Sequence, residues 1–477
     1  MNADRRAQVR DAAKYLRAVR PLDPAELATY VEGQPHPAAV RQVLRESAVA
    51  LGVREREDGT FVPVDDEPIA PPDRPITVPE DRLRAIEDCL VETFGPDWHR
   101  GESGVRLRER IHDLKAAYLA GDSVTYDRTT ALAYAIYHFP ASYASTAHLI
   151  DQVLTEQLLD APLRICEIGA GVGGPLCAVL DRLGPAVPVR YDAVEPSAAA
   201  EVCADLVGDG PRNAQIEIHR ERAETFDPGE YDLVLAARVA NELADPATTL
   251  ERYADALAAD GTFALVAPAD RETAIGLRRV ERALADRLTV YAPTVRLWPD
   301  HHPSSRCWSF DRKPPIDLPA IQRKLAAAAD DPETIHNTRV QYAPSILRAD
   351  DRRRYDVSLD PDRTPPLATT AERVTDRIDA VAIKLSCDLG ADDAEANPQF
   401  LIGDGSERRD HVAVLVRETT LNDALDRAVY GDCLHFENAL VLENRDQDAY
   451  NLVIDDAAIV DRIARVPTPP AVDSAVE

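Results

Sequence analysis

The sequence predicts an α/β protein built on an open, Rossmann-like parallel sheet, with a winged-helix-like domain before it and an OB-fold-like β-barrel after it. Three observations predict this. Arg164-Ile165-Cys166-Glu167-Ile168 reads as an apolar strand, Gly169-Ala170-Gly171-Val172-Gly173-Gly174 as a glycine turn, and Leu176, Val179, Leu180 and Leu183 as the stripe of a following helix. In that order, backbone N–H groups can approach a nucleotide closely. Residues 189–194 then read as a second strand ending in Glu195, which puts an acid where a ribose diol would lie. The two ends differ in kind from this middle: helices and a hairpin come before it, and short β-type runs come after it.

Glu167 selects the cofactor. Dinucleotide-binding strands run apolar into their first glycine, whereas the E-x-G-x-G-x-G run from Glu167 to Gly173 resembles the first motif of class I S-adenosylmethionine (SAM) methyltransferases. The central fold is therefore read as class I SAM-dependent methyltransferase, against a dinucleotide site or a structural glycine turn. Its expected cofactor residues are Glu167, Gly169, Ala170, Gly171 and Gly173 at the turn, Glu195 and Pro196 at the ribose, and Glu224 near the adenine.

At 477 residues the chain exceeds one ordinary core, and its length suggests about three domains. It carries 83 acidic against 54 basic residues, a formal charge of −29, and its lysines are Lys14, Lys115, Lys313, Lys324 and Lys384 alone. Such an acid-rich, lysine-poor surface fits a halophilic protein in a very salty cytoplasm, where an RNA partner would be held by stacking, shape and local arginines rather than by overall charge. Cysteines at 89, 166, 177, 203, 307, 387 and 433 form no C-x-x-C pair and read as reduced intracellular thiols. The N-terminal residues lack the apolar core of a signal peptide and no apolar run approaches spanning length, so the expected location is cytoplasmic, with no membrane partner.

In chain order, residues 1–66 carry three helical stretches and then Asp58-Gly59 between two β-type runs, a two-residue hairpin signal. This resembles a winged helix, a nucleic-acid-binding or a protein-binding module, with Arg41 and Arg45 on its third helix. Residues 67–79 are a proline-rich linker. Residues 80–350 hold a helical segment and the central domain, 351–375 a second linker, 376–466 the barrel, and 467–477 a flexible tail. Within the helical segment, Tyr137, Pro140 and Tyr143 are candidates for the cofactor mouth.

Arg238, Asn241 and Glu242 follow the strong strand at 231–236, at the sheet edge where ligands of open α/β sheets bind, with helix capping and surface charge as their bland alternative. Arg238 and Asn241 are the catalytic candidates. Runs at 288–295 and 306–311 are expected to close the sheet as an antiparallel pair. His301, His302 and Cys307 lie between them, too few for a metal site without a second cluster, so no metal is expected. Tyr143 and the basic cluster Arg348, Arg352 and Arg353 are candidate substrate contacts, with Arg354 beside them and Asp350 and Asp351 partly cancelling the field. In the barrel, "G-D-G-S" at 403–406 and "G-D-x-L-x-F-E-N-A" at 431–439 look like single-strand-binding OB-folds, and Phe400, His411, Phe436 and Tyr450 are the candidate stacking residues.

The phrases at 133–143, the Glu167 glycine motif, Asp232 to Leu243 and Ala264-Leu265-Val266-Ala267-Pro268 together resemble the mitochondrial-type ribosomal small-subunit methyltransferase-like assembly proteins, over about residues 105–350. The resemblance implies association with the small ribosomal subunit or its RNA during assembly, through a fold whose catalysis varies within that family. Members carry several cysteines, holding an iron–sulfur cluster, where this chain keeps only Cys307 in 292–307, so no cluster is expected. The Asn/Asp-Pro-Pro-aromatic motif of amino methylation is replaced by Arg238-Val239-Ala240-Asn241, and no cysteine nucleophile stands at that edge. Three hypotheses follow: a SAM-dependent RNA methyltransferase, a non-catalytic RNA-binding assembly factor on the same fold, and a small-molecule methyltransferase. The sequence sets no oligomeric state.

Overall fold

The computed structural model describes residues 1–65, 67–298, 301 and 308–466. They fall into two compact units: Met1–Ala237 with Pro315–Arg339 form the first, and the remaining described residues the second.

The first unit begins with helices α1 (Ala3–Leu16), α2 (Pro24–Ala28), α3 (Pro37–Glu46) and α4 (Ala48–Leu51), then strands β1 (Val53–Glu55) and β2 (Phe61–Pro63). Val9, Val40, Leu44, Leu51 and Phe61 form its core. The expected third helix is broken at Ser47, and the hairpin is looser than expected. Residues 56–60 connect its strands, closed by Arg56 N–H to the Thr60 carbonyl at 2.8 Å, with Gly59 at φ +82°. Asp58 caps the loop through the Thr60 amide and hydroxyl, so the Asp-Gly pair serves a longer turn than the two-residue type.

Helices α5 (Glu80–Phe94), α6 (Gly101–Ala120), α7 (Arg128–Tyr137) and α8 (Phe139–Thr155) confirm the helical segment. Strands β3 (Leu163–Ile168), β4 (Val189–Val194), β5 (Ala214–His219) and β6 (Tyr231–Ala237) follow, with α9 (Gly174–Leu183) and α10 (Ala199–Val207) as crossovers. All pair in parallel, in the order β5-β4-β3-β6. Strands β3 and β4 are both buried along most of their length, with only the second residue of each, Arg164 and Arg190, reaching toward solvent.

The second unit opens with α11 (Pro246–Ala254), β7 (Leu257–Pro268) and α12 (Arg271–Leu284), then β8 (Thr289–Ala292), β9 (Asp311–Lys313) and β10 (Val340–Arg348). The sequence expectation that the runs at 288–295 and 306–311 pair with each other is corrected here. Strand β10 pairs antiparallel with β7, β8 and β9, so it is the reversed strand. The parallel order third-second-first-fourth in the first unit, and fifth-seventh-sixth with an antiparallel seventh in the second, are the two halves of the class I methyltransferase order.

Strands β11 (Arg377–Lys384), β12 (Gln399–Gly403), β13 (Asp410–Leu415), β14 (Cys433–Asn444) and β15 (Ala449–Ile454) close into a barrel in the order β11-β12-β13-β15-β14-β11, with β13 and β15 parallel. That is the five-stranded OB order. A further strand, β16 (Ile459–Arg462), which the sequence did not reveal, adds to β14. The outer surface of β11 to β13 is covered. Val381, Ile383, Leu401, Val412 and Val414 pack with Val295, Leu297, Trp298, Phe310 and Tyr355.

The "G-D-G-S" turn clamps that cover. Asp404 is buried; its Oδ2 accepts the Trp298 indole N–H at 2.7 Å and the Leu367 amide at 2.8 Å, and its Oδ1 accepts the Ser406 amide at 2.8 Å. Replacing Asp404 by Ala orphans four buried donors, the Ser406 hydroxyl included, so stability should fall by about 3–5 kcal/mol. Thermal melting in concentrated potassium chloride, with tryptophan emission as probe, checks this; an unchanged midpoint would show that the clamp is idle.

Candidate functional site

The glycine turn between β3 and α9 is shaped by backbone conformations that side chains disfavour. Gly169, Gly171 and Gly173 have φ of +67°, +54° and +83°. A Cβ on Gly171 would meet nothing within 4 Å, so open space lies against this backbone. A Cβ on Gly173 would lie 2.7 Å from Cys203 Sγ on α10. Gly173→Ala should therefore cost about 2–4 kcal/mol, from strained φ plus overlap. In the Cys203→Ala background the overlap is relieved and only the backbone part should persist, which paired denaturant titrations resolve.

Glu195, at the end of β4, holds the turn in place. Its Oε2 accepts the Gly171 amide at 3.0 Å and its Oε1 accepts the Ser197 amide at 2.9 Å. A carboxylate has about four lone-pair sites, so acceptors remain for a diol. Ala170 is buried in the turn, where its amide donates to the Val194 carbonyl at 3.1 Å.

Glu167, at the end of β3, is fully buried. Oε2 accepts the Tyr191 hydroxyl at 2.7 Å, while Oε1 has no partner. Burial pushes its carboxyl up to about 8 from 4.5, against the opposing Tyr191 hydrogen bond and with added repulsion from Glu195. An orphaned buried carboxylate oxygen beside an open glycine backbone suits a cationic ligand such as SAM, whose sulfonium and ammonium groups are positive. Tyr191 and Ser197 were missed in the sequence. Tyr191 lies on β4 opposite Ile165 of β3, one strand over from the motif, and only that register brings its hydroxyl to Glu167.

Pro196 is exposed beside this cradle, and Glu224 is partly buried and paired to Arg222 at 3.4 Å. These expected cofactor positions all belong to the first unit. Tyr143 does not offer a substrate contact. It is buried, and its hydroxyl donates at 3.1 Å to Asp181, which also binds Arg82. Pro140 is likewise buried, and Tyr137 is half-buried, with the Lys115 ammonium 4.3 Å from its ring centre. Arg41 and Arg45 turn to Glu55, at 3.6 and 2.5 Å, instead of presenting free guanidinium groups.

In the second unit, Arg238 follows β6 with φ +62°, its amide donating to the Val266 carbonyl at 2.7 Å. Asn241 and Glu242 are exposed in the turn that follows, and the helix cap that was their bland alternative is Asp245, which accepts the Thr248 amide. The basic cluster breaks up. Arg348 is buried between Asp350 and Thr262, and Arg354 is buried on the Gly431 carbonyl. Arg352 is half-buried, and only Arg353 among these four is exposed. Of the barrel aromatics, Phe400 and Phe436 are core, and His411 is buried between the Arg409 carbonyl and the Thr370 hydroxyl. Tyr450 is 9% exposed, so none stands free as a stacking platform. His302 and Cys307 lie outside the described residues.

A methyltransferase-domain model matches residues 141–313, which contain the whole cradle and Glu224. Residues 6–57 match the N-terminal domain, and residues 368–463 the C-terminal domain, of a family described as a domain of unknown function, DUF8157. No curated protein matches the chain. Among solved structures, the CurJ carbon methyltransferase is 15% identical, with 72% of this chain and 91% of that one covered at TM-score 0.31. The plantazolicin methyltransferase BpumL, solved with SAH, is 14% identical, with 51% and 98% covered at TM-score 0.32. A SAM-dependent methyltransferase from Aquifex aeolicus is 14% identical, with 39% and 90% covered at TM-score 0.26. The central domain has the class I methyltransferase fold, and SAM is the cofactor that its domain and motif take. Among the described residues, no helix is long and apolar enough to cross a membrane.

Proposed function

We propose that this chain is a SAM-dependent methyltransferase that acts on the RNA of the small ribosomal subunit during assembly. The observation that carries the enzymatic half is the cradle itself: an open left-handed glycine turn, a ribose-side carboxylate holding it, and a buried carboxylate with one unpartnered oxygen. Bound there, SAM supplies an electrophilic methyl group. Glu195 would orient the nucleoside end against the open backbone at Gly171, and Glu167 would complement the positive charge.

The RNA half rests on the sequence phrases that resemble the ribosomal assembly family. The structure weakens two further supports, since Arg41 and Arg45 are paired to Glu55 and the outer face of β11 to β13 is covered. A second reading, a non-catalytic assembly factor, is favoured by Arg238-Val239-Ala240-Asn241-Glu242, which lacks the Pro-Pro-aromatic part of the amino-methylase motif.

Calorimetric titration with SAM in multimolar potassium chloride comes first, comparing the parent with Gly171→Arg, which fills the open space. Methyl-labelled SAM is then given with small-subunit RNA and, separately, with a metabolite extract. Label in RNA that Asn241→Ala abolishes supports the proposal. SAM and RNA bound without transfer establishes the second reading. Label in a metabolite overturns the RNA assignment, and failure of the folded parent to bind SAM overturns the enzyme.

A further inference from the structure

Another group of ligating side chains sits on the outer strands of the parallel sheet, unused by the glycine-turn site. The parallel register sets Asp192 on β4 opposite Glu217 on β5, and Val194 opposite His219. Because side chains alternate along a strand, Asp192, Glu217 and His219 leave the sheet on one face. One ligand atom from each lies within 4.8 Å of the other two.

The spacing fits coordination. Asp192 Oδ1 and His219 Nε2 are 2.9 Å apart, close to the separation of adjacent ligands on an ion with bonds of about 2.1 Å. Asp192 is buried and fixed, since its Oδ2 accepts the Tyr231 hydroxyl at 3.2 Å, the kind of outer contact that orients a metal-binding carboxylate. The His219 ring is held by Phe226, whose ring centre is 4.8 Å away. Glu217 is exposed and free to close the remaining distance.

A simple network of hydrogen bonds is the competing account. The His219 bond and the Arg190 guanidinium, 3.5 Å from Asp192 Oδ2, satisfy Asp192. They do not explain why a second carboxylate, Glu217, is set directly opposite a buried one on the same face, where like charges repel. A cation between the two would remove that conflict.

We propose that Asp192, Glu217 and His219 bind one divalent transition-metal ion. One imidazole with two carboxylates suits Zn²⁺, Co²⁺ or Mn²⁺ better than Mg²⁺ or Ca²⁺, which favour oxygen ligands throughout. The ion braces β5 against β4 close to the cofactor pocket, because the Glu195 amide donates to the His219 carbonyl at 3.0 Å. The ligands stand far apart in sequence, two on one strand and one on its neighbour, which is why no short motif announced them.

The test titrates Co²⁺ into metal-free, full-length protein in multimolar potassium chloride, where screening suppresses loose binding to an acidic surface. Visible d–d absorption reports ligation. The expected result is one saturable equivalent, with affinity at least about tenfold weaker in Glu217→Gln and in His219→Gln. Glu217 is exposed and faces a like charge, so its variant should melt no lower than the metal-free parent and separate ligand loss from unfolding. Zn²⁺ should raise the parent's melting point by more than that of Glu217→Gln. Absence of one-equivalent binding by the folded parent, or affinity equal to the parent's in both variants, overturns the site.

Discussion

Glu195→Ala should lower SAM affinity about 100-fold or more, close to 2.7 kcal/mol, at about 1.4 kcal/mol per factor of ten. The loss has two sources. The carboxylate that would face the ribose is gone, and the Gly171 and Ser197 amides lose the acceptor that now holds them at 3.0 and 2.9 Å. Hydrogen bonds to a charged group contribute about 1.5–3 kcal/mol each, so the turn should also loosen and stability should fall by about 1–3 kcal/mol. Glu195→Asp keeps the charge on a shorter arm that cannot reach both amides, and its affinity should fall between parent and Ala. Calorimetry well below the melting transition separates binding from folding. Equal affinity in parent and Ala variant would remove Glu195 from the site.

The cradle was legible because its information is local. A strand, a turn needing left-handed glycines and a helix follow one another within residues 163–183, and Glu195 comes one crossover later, so spacing alone brings them together. The barrel was legible for a similar reason, since its strands are short, consecutive and bounded by turns. What failed depends on partners far away in the chain. Arg348 and Arg354 read as a basic patch, yet their guanidinium groups fold inward to Thr262 and to the Gly431 carbonyl. Phe400 and Phe436 alternate along their strands as stacking residues would, but alternation cannot say which face is the barrel interior. Nor could it reveal that the outer face of β11 to β13 is covered by Val295, Leu297 and Trp298, held down through Asp404. Arg41 and Arg45 show the same limit at shorter range: the sequence placed them on the third helix and left Glu55 out.

Glu167→Gln should do two opposite things. In the parent, burial raises the carboxyl from 4.5 to about 8, so the folded protein holds a proton that the unfolded chain releases over that range. The stability linked to this proton is fully present below about pH 4.5 and is lost as pH rises through about 8. At about 1.4 kcal/mol per unit the loss is on the order of 5 kcal/mol. Glutamine has nothing to ionise, so the variant's stability should be flatter over this window and should exceed the parent's at pH 9, less about 1–3 kcal/mol for its buried amide. The same change removes the negative charge that would face SAM, so affinity should fall even as the protein gains stability at alkaline pH. Denaturant titrations from pH 5 to 9 test the first effect, and calorimetry at pH 9 the second. Parallel stability curves would mean that Glu167 stays ionised throughout. A gain in stability with SAM affinity intact would mean that its buried charge serves no ligand, leaving no reason for the fold to carry that cost at the end of β3.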